Sequence, residues 1–157
     1  MRIEYFQLID RIIALNLADH TISTEAVVPT TSTIFEGHFP GYPLMPGVLL
    51  IESMAQTAGW LVVAERRFES MPFLASLKDV KLRTFVGPGA RLSLSAKLIH
   101  DGSGFAVTKA EGRHEGKIIC EATITFRIMP FPNTQFRASM QKVAEGLEFP
   151  METVGNG

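Results

Sequence analysis

Cysteine is nearly absent from this sequence, with Cys120 its only example. An intrachain disulfide is therefore excluded, and the content fits a reducing, cytoplasmic setting. An excess of charge is absent too. Fifteen Lys and Arg stand against sixteen Asp and Glu, for a formal net charge of -1. The chain as a whole does not read as a polyanion binder, and no nucleic-acid partner is expected. No signal peptide is evident, because Met1 to Phe6 lacks a long apolar core and a small-residue cleavage site. The most apolar stretch, Val48 to Ala64, is broken by Glu52, Ser53, Gln56 and Thr57 and is short for a membrane span. A helix buried in a soluble core is expected there, with no membrane insertion. Internal repeats and low-complexity segments are also missing.

What is present suits one compact unit. The 157 residues are 46% hydrophobic, enough for one domain with a sizeable core. Phe6 to Leu15 reads as a strand or a short helix. In Thr21 to Val28, Ile22, Thr24 and Ala26 alternate with Thr21, Ser23 and Glu25, which predicts a strand. Pro29 to Gly47 holds four prolines and three glycines and reads as a long loop without structure, a kind that is often functional. Val48 to about Arg67 is apolar nearly all round and predicts a helix wrapped by other elements. Gly59 lies inside it, and close backbone packing is the usual compensation. Phe73 to Phe85 is mixed. The alternations after it predict three strands, around Leu92 to Leu98, Phe105 to His114 and Ile118 to Ile128. Thr134 to Gly146 reads as a short amphipathic helix with Phe136, Met140 and Val143 on one side, and Thr153 to Gly157 as a frayed end. One long apolar helix and a strand meander imply an α+β domain, with an antiparallel sheet curled round the helix. The division expected is a domain over residues 1–130 and a C-terminal extension over 131–157.

Four residues carry candidate chemistry. His38 stands in the turn-rich loop. Glu52 lies one turn into the apolar helix, and Gln56 follows at i+4 on the same face. Polar groups in so apolar a helix need partners or a role. His38 is a candidate base. Burial would raise the pKa of Glu52 and fit it to donate a proton. The amide of Gly47, at the helix N-terminus, offers a free N–H and close approach. Each residue has an ordinary reading as well: a structural histidine, an ion-paired glutamate, a helix start. A metal site would need a third ligand. His20, His100 and His114 read as surface residues, so no metal and no cofactor is expected.

Gly37-His38-Phe39-Pro40-Gly41-Tyr42-Pro43-Leu44-Met45-Pro46-Gly47-Val48, with Glu52 and Ala55-Gln56 after it, resembles the bacterial (3R)-hydroxyacyl-[acyl-carrier-protein] dehydratases of the hot-dog fold. A weaker likeness runs from about Phe6 to Ile128. The resemblance implies an antiparallel sheet wrapped round one long helix. The implied activity is formation of trans-2-enoyl thioesters in fatty-acid biosynthesis, a lyase reaction. His38 and Glu52 would be catalytic, facing each other across a homodimer, with trimers of dimers (homohexamers) known in the family. Gly47 would bind the thioester carbonyl, Gln56 would support Glu52, and the Tyr42–Pro43 bond would be cis. Glutamate at position 52 points to dehydration without coupled isomerisation.

The substrate would arrive on the phosphopantetheine arm of an acyl carrier protein. Lys78, Lys81 and Arg83 are a candidate docking strip, and Phe35, Phe39, Met45, Phe73 and Leu74 candidate walls of an acyl tunnel. The N-terminal segment, Phe85, Ala90 and the tail from Phe131 depart from the family pattern, which is compatible with a specialised paralogue. Two rivals remain at this point: a hot-dog acyl thioesterase, and a non-catalytic subunit that binds acyl carriers.

Overall fold

The computed structural model describes residues 1–155. Six strands form one antiparallel sheet: β1 (Arg11–Asn16), β2 (Thr21–Val27), β3 (Ser70–Leu82), β4 (Arg91–Gly102), β5 (Phe105–His114) and β6 (Lys117–Pro130). Their order is β1-β2-β4-β5-β6-β3. The sheet curls round the long helix α2 (Gly47–Glu65), which contacts every strand from β2 to β6. This is the hot-dog arrangement, and it explains why α2 has no polar face.

Alternating burial fixes the register. Ile22, Thr24 and Ala26 of β2 point inward, as do Leu92, Leu94 and Ala96 of β4, and Cys120, Ala122, Ile124 and Phe126 of β6. Met54, Ala58 and Leu61 of α2 meet them with no exposed surface. Each such Met or Leu contributes about 1.5–3 kcal/mol relative to exposure. The polar residues buried in this core are satisfied. Ser53 donates its hydroxyl to the Leu49 carbonyl (3.0 Å), Thr57 donates to Ser53 (2.9 Å), and the Thr24 and Thr57 hydroxyls meet at 2.8 Å. A Cβ on Gly112 would fall 2.7 Å from the Cys120 sulfur, so β5 passes β6 there only as glycine.

Several expectations need correcting. Between Phe6 and Leu15 the chain is strand only from Arg11. The segment from Pro29 to Gly47 is not all loop, since it contains a short helix, α1 (Thr33–Gly37). Phe73 to Phe85 looked mixed, yet β3 runs thirteen residues. Its period-two signal is weak because β3 is an edge strand exposed on both faces, with register breaks between Leu74 and Ser76 and between Lys78 and Lys81. Gly59 is not pressed by backbone, because a Cβ there would meet only Pro72 Cγ at an ordinary 3.7 Å.

The C-terminal segment folds back on the core. Helix α3 (Thr134–Gly146) is capped by Asn133, whose side chain accepts from the Phe136 N–H at 2.7 Å. Beyond it, Leu147, Phe149 and Val154 are buried. The Ile12 N–H donates to the Leu147 carbonyl (2.8 Å), tying the segment to β1. Phe149 packs on Trp60 and Phe68, with ring centroids 5.9 and 5.2 Å apart. A frayed end is therefore not found at Thr153 and Val154, which lie in a 3-10 helix over Met151–Val154. Asn156 and Gly157 fall outside the described residues.

Candidate active site

The loop that carries His38 is built by hydrogen bonds. The Ser32 hydroxyl caps α1, accepting from the Ile34 N–H (3.2 Å) and donating to the Glu4 carboxylate (2.7 Å). That carboxylate also accepts from the Thr33 N–H (3.1 Å), and the Ser32 bond above all holds it below the usual carboxylate range. His38 ends α1, its N–H donating to the Ile34 carbonyl at 3.0 Å. Phe39 and Tyr42 then exchange backbone bonds of 3.0 and 2.9 Å round Pro40-Gly41. Proline followed by a glycine at φ +73° is the pattern of a type II turn. The Leu44 N–H returns to the His38 carbonyl (2.9 Å), and the Met45 N–H reaches Val86 (2.8 Å). The cis peptide of this loop is His38–Phe39, whereas Tyr42–Pro43, expected to be cis, is trans.

His38 Nδ1 lies 2.9 Å from the Leu44 carbonyl oxygen. A carbonyl only accepts, so Nδ1 carries the proton. In the neutral ring Nε2 is then left with its lone pair, ready to take a proton. The Phe39 ring stacks on the imidazole at 4.1 Å between centroids.

Glu52 stands half-buried one turn into α2. The Gln56 amide donates to its carboxylate at 3.2 Å. The same amide nitrogen donates to the Phe6 carbonyl (2.8 Å), and Gln56 Oε1 accepts from the Leu8 N–H (3.0 Å). The amide is thus clamped between two backbone groups of the N-terminal segment, and its N–H2 end must face Glu52. Burial raises the pKa of Glu52, and the bond from Gln56 opposes part of that rise. A carboxyl in this setting can hold a proton and deliver it.

Gly47 is the first residue of α2. The Pro46 carbonyl takes the N–H groups of Leu49 and Leu50. Those of Gly47 and Val48 precede the helical ladder, at the positive end of the helix dipole. A Cβ on Gly47 would fall 2.5 Å from Leu82 Cδ1 of β3.

Glu52 and Gln56 open into a cavity of about 430 Å³. Its walls come from α2 (Gly59, Trp60, Val63), β3 (Met71, Pro72, Leu74), Phe126 and α3 (Met140, Val143) with Leu147. His38 does not line it, and among the described residues no hydrogen bond joins His38 to Glu52. The structure therefore joins Glu52 to Gln56 but does not join either to the histidine within one chain.

The other expected site residues are scattered. Of the expected tunnel walls, only Leu74 lines the cavity. Phe35 and Met45 are core residues, Phe39 covers the imidazole, and Phe73 is exposed on β3. Of the cavity's α2 wall the sequence singles out Glu52 and Gln56, and Gly59, Trp60 and Val63 continue the same helical stripe. The basic strip is broken by Glu121, whose carboxylate pairs with Arg83 (2.9 Å) and Lys81 (3.7 Å), leaving Lys78 outside that pairing. The Arg83 bond leads the causes that hold Glu121 below the usual carboxylate range. Burial pushes the Cys120 thiol up to about 11, so it is no nucleophile.

Comparison with known proteins places these residues in a wider group. The family model of the FabA-like domain matches residues 2–123. The 3-hydroxyacyl-[acyl-carrier-protein] dehydratase FabZ of Lactococcus lactis subsp. cremoris is 39% identical over 124 residues, covering 78% of this chain and 85% of that protein. The FabZ dehydratase of Streptococcus suis is 38% identical, covering 77% and 86%. Among solved structures, a conserved protein of Pseudomonas aeruginosa superposes with a TM-score of 0.62 at 20% identity, over 80% of this chain and 91% of that one. A hypothetical thioesterase of Streptococcus pneumoniae, solved with coenzyme A, gives 0.61 at 15%, over 78% and 88%. At those identities the structures speak for the fold alone.

Proposed function

The chain belongs to the FabA-like domain family, and from that premise we propose that it is a 3-hydroxyacyl-[acyl-carrier-protein] dehydratase of fatty-acid biosynthesis, working in the cytoplasm on thioesters of an acyl carrier protein. The observation that carries this reading is Glu52. Its half-buried carboxyl, raised in pKa by burial, is aimed by a clamped Gln56 at the mouth of an apolar cavity.

The roles assigned in this reading are as follows. Nε2 of His38 removes a proton from the carbon beside the thioester carbonyl. The Gly47 N–H stabilises the oxygen that gains charge. The electron pair from the broken C–H bond forms the double bond. The C–O bond at the third carbon breaks, and Glu52 gives its proton to the departing hydroxyl, which leaves as water. Gln56 is a positioning residue: it fixes which way the carboxyl faces.

Because His38 and Glu52 do not meet in one chain, we propose that a homodimer completes each site. The free edge of β3 supports this. Leu74, Leu77, Val80 and Leu82 are exposed along it, and Val48 and Phe85 are 70% and 77% exposed. An edge strand that apolar is a template for pairing.

The test is an assay with 3-hydroxyacyl and enoyl carrier-protein thioesters, following absorbance of the conjugated enoyl group. Dehydration, or its reverse, is the expected result. Release of free thiol without dehydration would overturn the reading in favour of a thioesterase. Binding with neither reaction would leave a non-catalytic carrier-binding subunit.

A further inference from the structure

We propose that α3 sets which acyl chains the enzyme accepts, with Met140 and Val143 as the specificity-determining residues. The proposal rests on the dehydratase reading for the identity of the chain and on the cavity for everything else. The floor of the cavity is one stripe of α2, running from Glu52 through Gln56, Gly59 and Trp60 to Val63. The eleven helical steps from Glu52 to Val63 span about 16 Å. The polar groups gather at the Glu52 end, where Gln56 is bonded to the backbone of Phe6 and Leu8. Farther along, the absent side chain of Gly59 leaves the floor low: the nearest atom to a Cβ there would be Pro72 Cγ, another wall of the cavity. A space that is polar at one end and apolar for the rest of its length fits an alkyl chain whose reacting carbons lie at Glu52.

The roof has a different origin. Met140 and Val143 belong to α3, which lies beyond the residues 2–123 that match the family. The helix is fixed most firmly at its far end. Leu147 and Phe149 are buried there, and the Ile12 N–H holds the Leu147 carbonyl. Towards its start Phe136 is 37% exposed, and in the last turn Val143, over the cavity, is still 46% exposed although Ala144 beside it is buried. A roof made of part-exposed side chains on α3 can be altered in bore by substitution without touching Glu52, Gln56 or the His38 loop.

The test uses the full-length protein and 3-hydroxyacyl thioesters of four, ten and sixteen carbons. The readout is the ratio of kcat/KM between the longest and the shortest. Val143→Phe narrows the bore and is expected to lower that ratio about ten-fold, the value of roughly two buried methylenes. The double variant Met140→Ala with Val143→Ala is expected to raise it, and carries the test if the larger side chain fails to fold. Lys142→Ala, on the exposed side of α3, is expected to leave the ratio alone. A second readout is displacement of a fluorescent long-chain fatty acid by the same thioesters. If the wild type dehydrates but neither readout moves in the Met140 and Val143 variants, the role of α3 is overturned. If no thioester is dehydrated, yet displacement still depends on length and shifts with Val143, the role of α3 stands and the dehydratase reading fails.

Discussion

The loop that holds His38 and the helix that holds Glu52 are built on opposite plans. From Ser32 to Pro46 only Phe35 and Met45 are buried, and the shape comes from backbone hydrogen bonds, a serine cap and one glycine turn. From Gly47 to Glu65 the shape comes from burial, with Met54, Ala58 and Leu61 sealed inside the sheet. The first plan places an imidazole accurately at a surface, where a second chain can meet it. The second keeps a carboxyl out of water, which raises its pKa. A carboxyl and an imidazole with different needs are thus housed in different kinds of structure, and each kind fails in its own way.

The largest effect is on catalysis. His38→Ala and Glu52→Gln should each lower the dehydration rate by about 10²–10⁴, the usual range for a positioned acid or base. A variant keeping near-normal turnover would remove its residue from the mechanism. Dissociating and re-mixing the two inactive variants should restore part of the activity, because some mixed dimers hold one intact site. No recovery would mean that both groups act within one chain.

Next comes packing. Met54→Ala should cost about 2–5 kcal/mol in stability, the range for a buried methionine that leaves a cavity. Phe39→Ala removes a ring that is 48% exposed and should cost roughly 0.5 kcal/mol or less. Denaturant midpoints compare the two. Equal losses would show that side-chain packing, not backbone bonding, holds the loop.

Gly41→Ala sharpens the contrast from the other side. At φ +73° an added Cβ costs about 1–2 kcal/mol, with no contact to recover it. The penalty falls on the turn that sets His38, so dehydration should fall by more than the loss of folded protein explains. Thermal melts and specific activity, measured on one preparation, separate the two losses. Activity falling only in step with stability would detach the turn from the site.

Legibility in the sequence followed the same division. The α2 helix and strands β2, β4, β5 and β6 were readable because burial on one side, or on all sides, leaves a pattern in the residues. Strand β3 was not, since a bulged edge exposed on both faces leaves no alternation to read. The short α1 was hidden among prolines and glycines, its signal resting on Ser32 and on the distant Glu4. His38, Gly47, Glu52 and Gln56 stood out because their types are costly or unusual where they occur. The cavity walls did not, because Trp60, Val63, Met140 and Val143 look like any core residue until the space between them is seen. The ion pairs within the basic strip were hidden for a further reason: charge along one strand says nothing of Glu121 on its neighbour.

The smallest effect concerns pH. Burial raises the pKa of Glu52 in the folded protein above its value in the unfolded chain. The folded state then binds that proton more tightly, so the associated stability is complete below the unfolded pKa and is lost as pH rises through the folded one. Glu52→Gln keeps a neutral group at every pH. It should therefore gain stability relative to wild type as pH climbs through the carboxylate range, and hold a constant advantage above it. Urea midpoints of both proteins between about pH 4 and 8 bracket the change. Gln56→Met removes the bond that opposes the rise. It should move the upper end of this window to higher pH, together with the alkaline limb of the dehydration rate, because the acid must be protonated to act. The His38 loop has no such dependence on this carboxyl, so Gly41→Ala should leave the window where it is. A difference between Glu52→Gln and wild type that stays flat with pH would mean that Glu52 titrates as it does in water, and the helix would then give its carboxyl a position but no firmer hold on its proton.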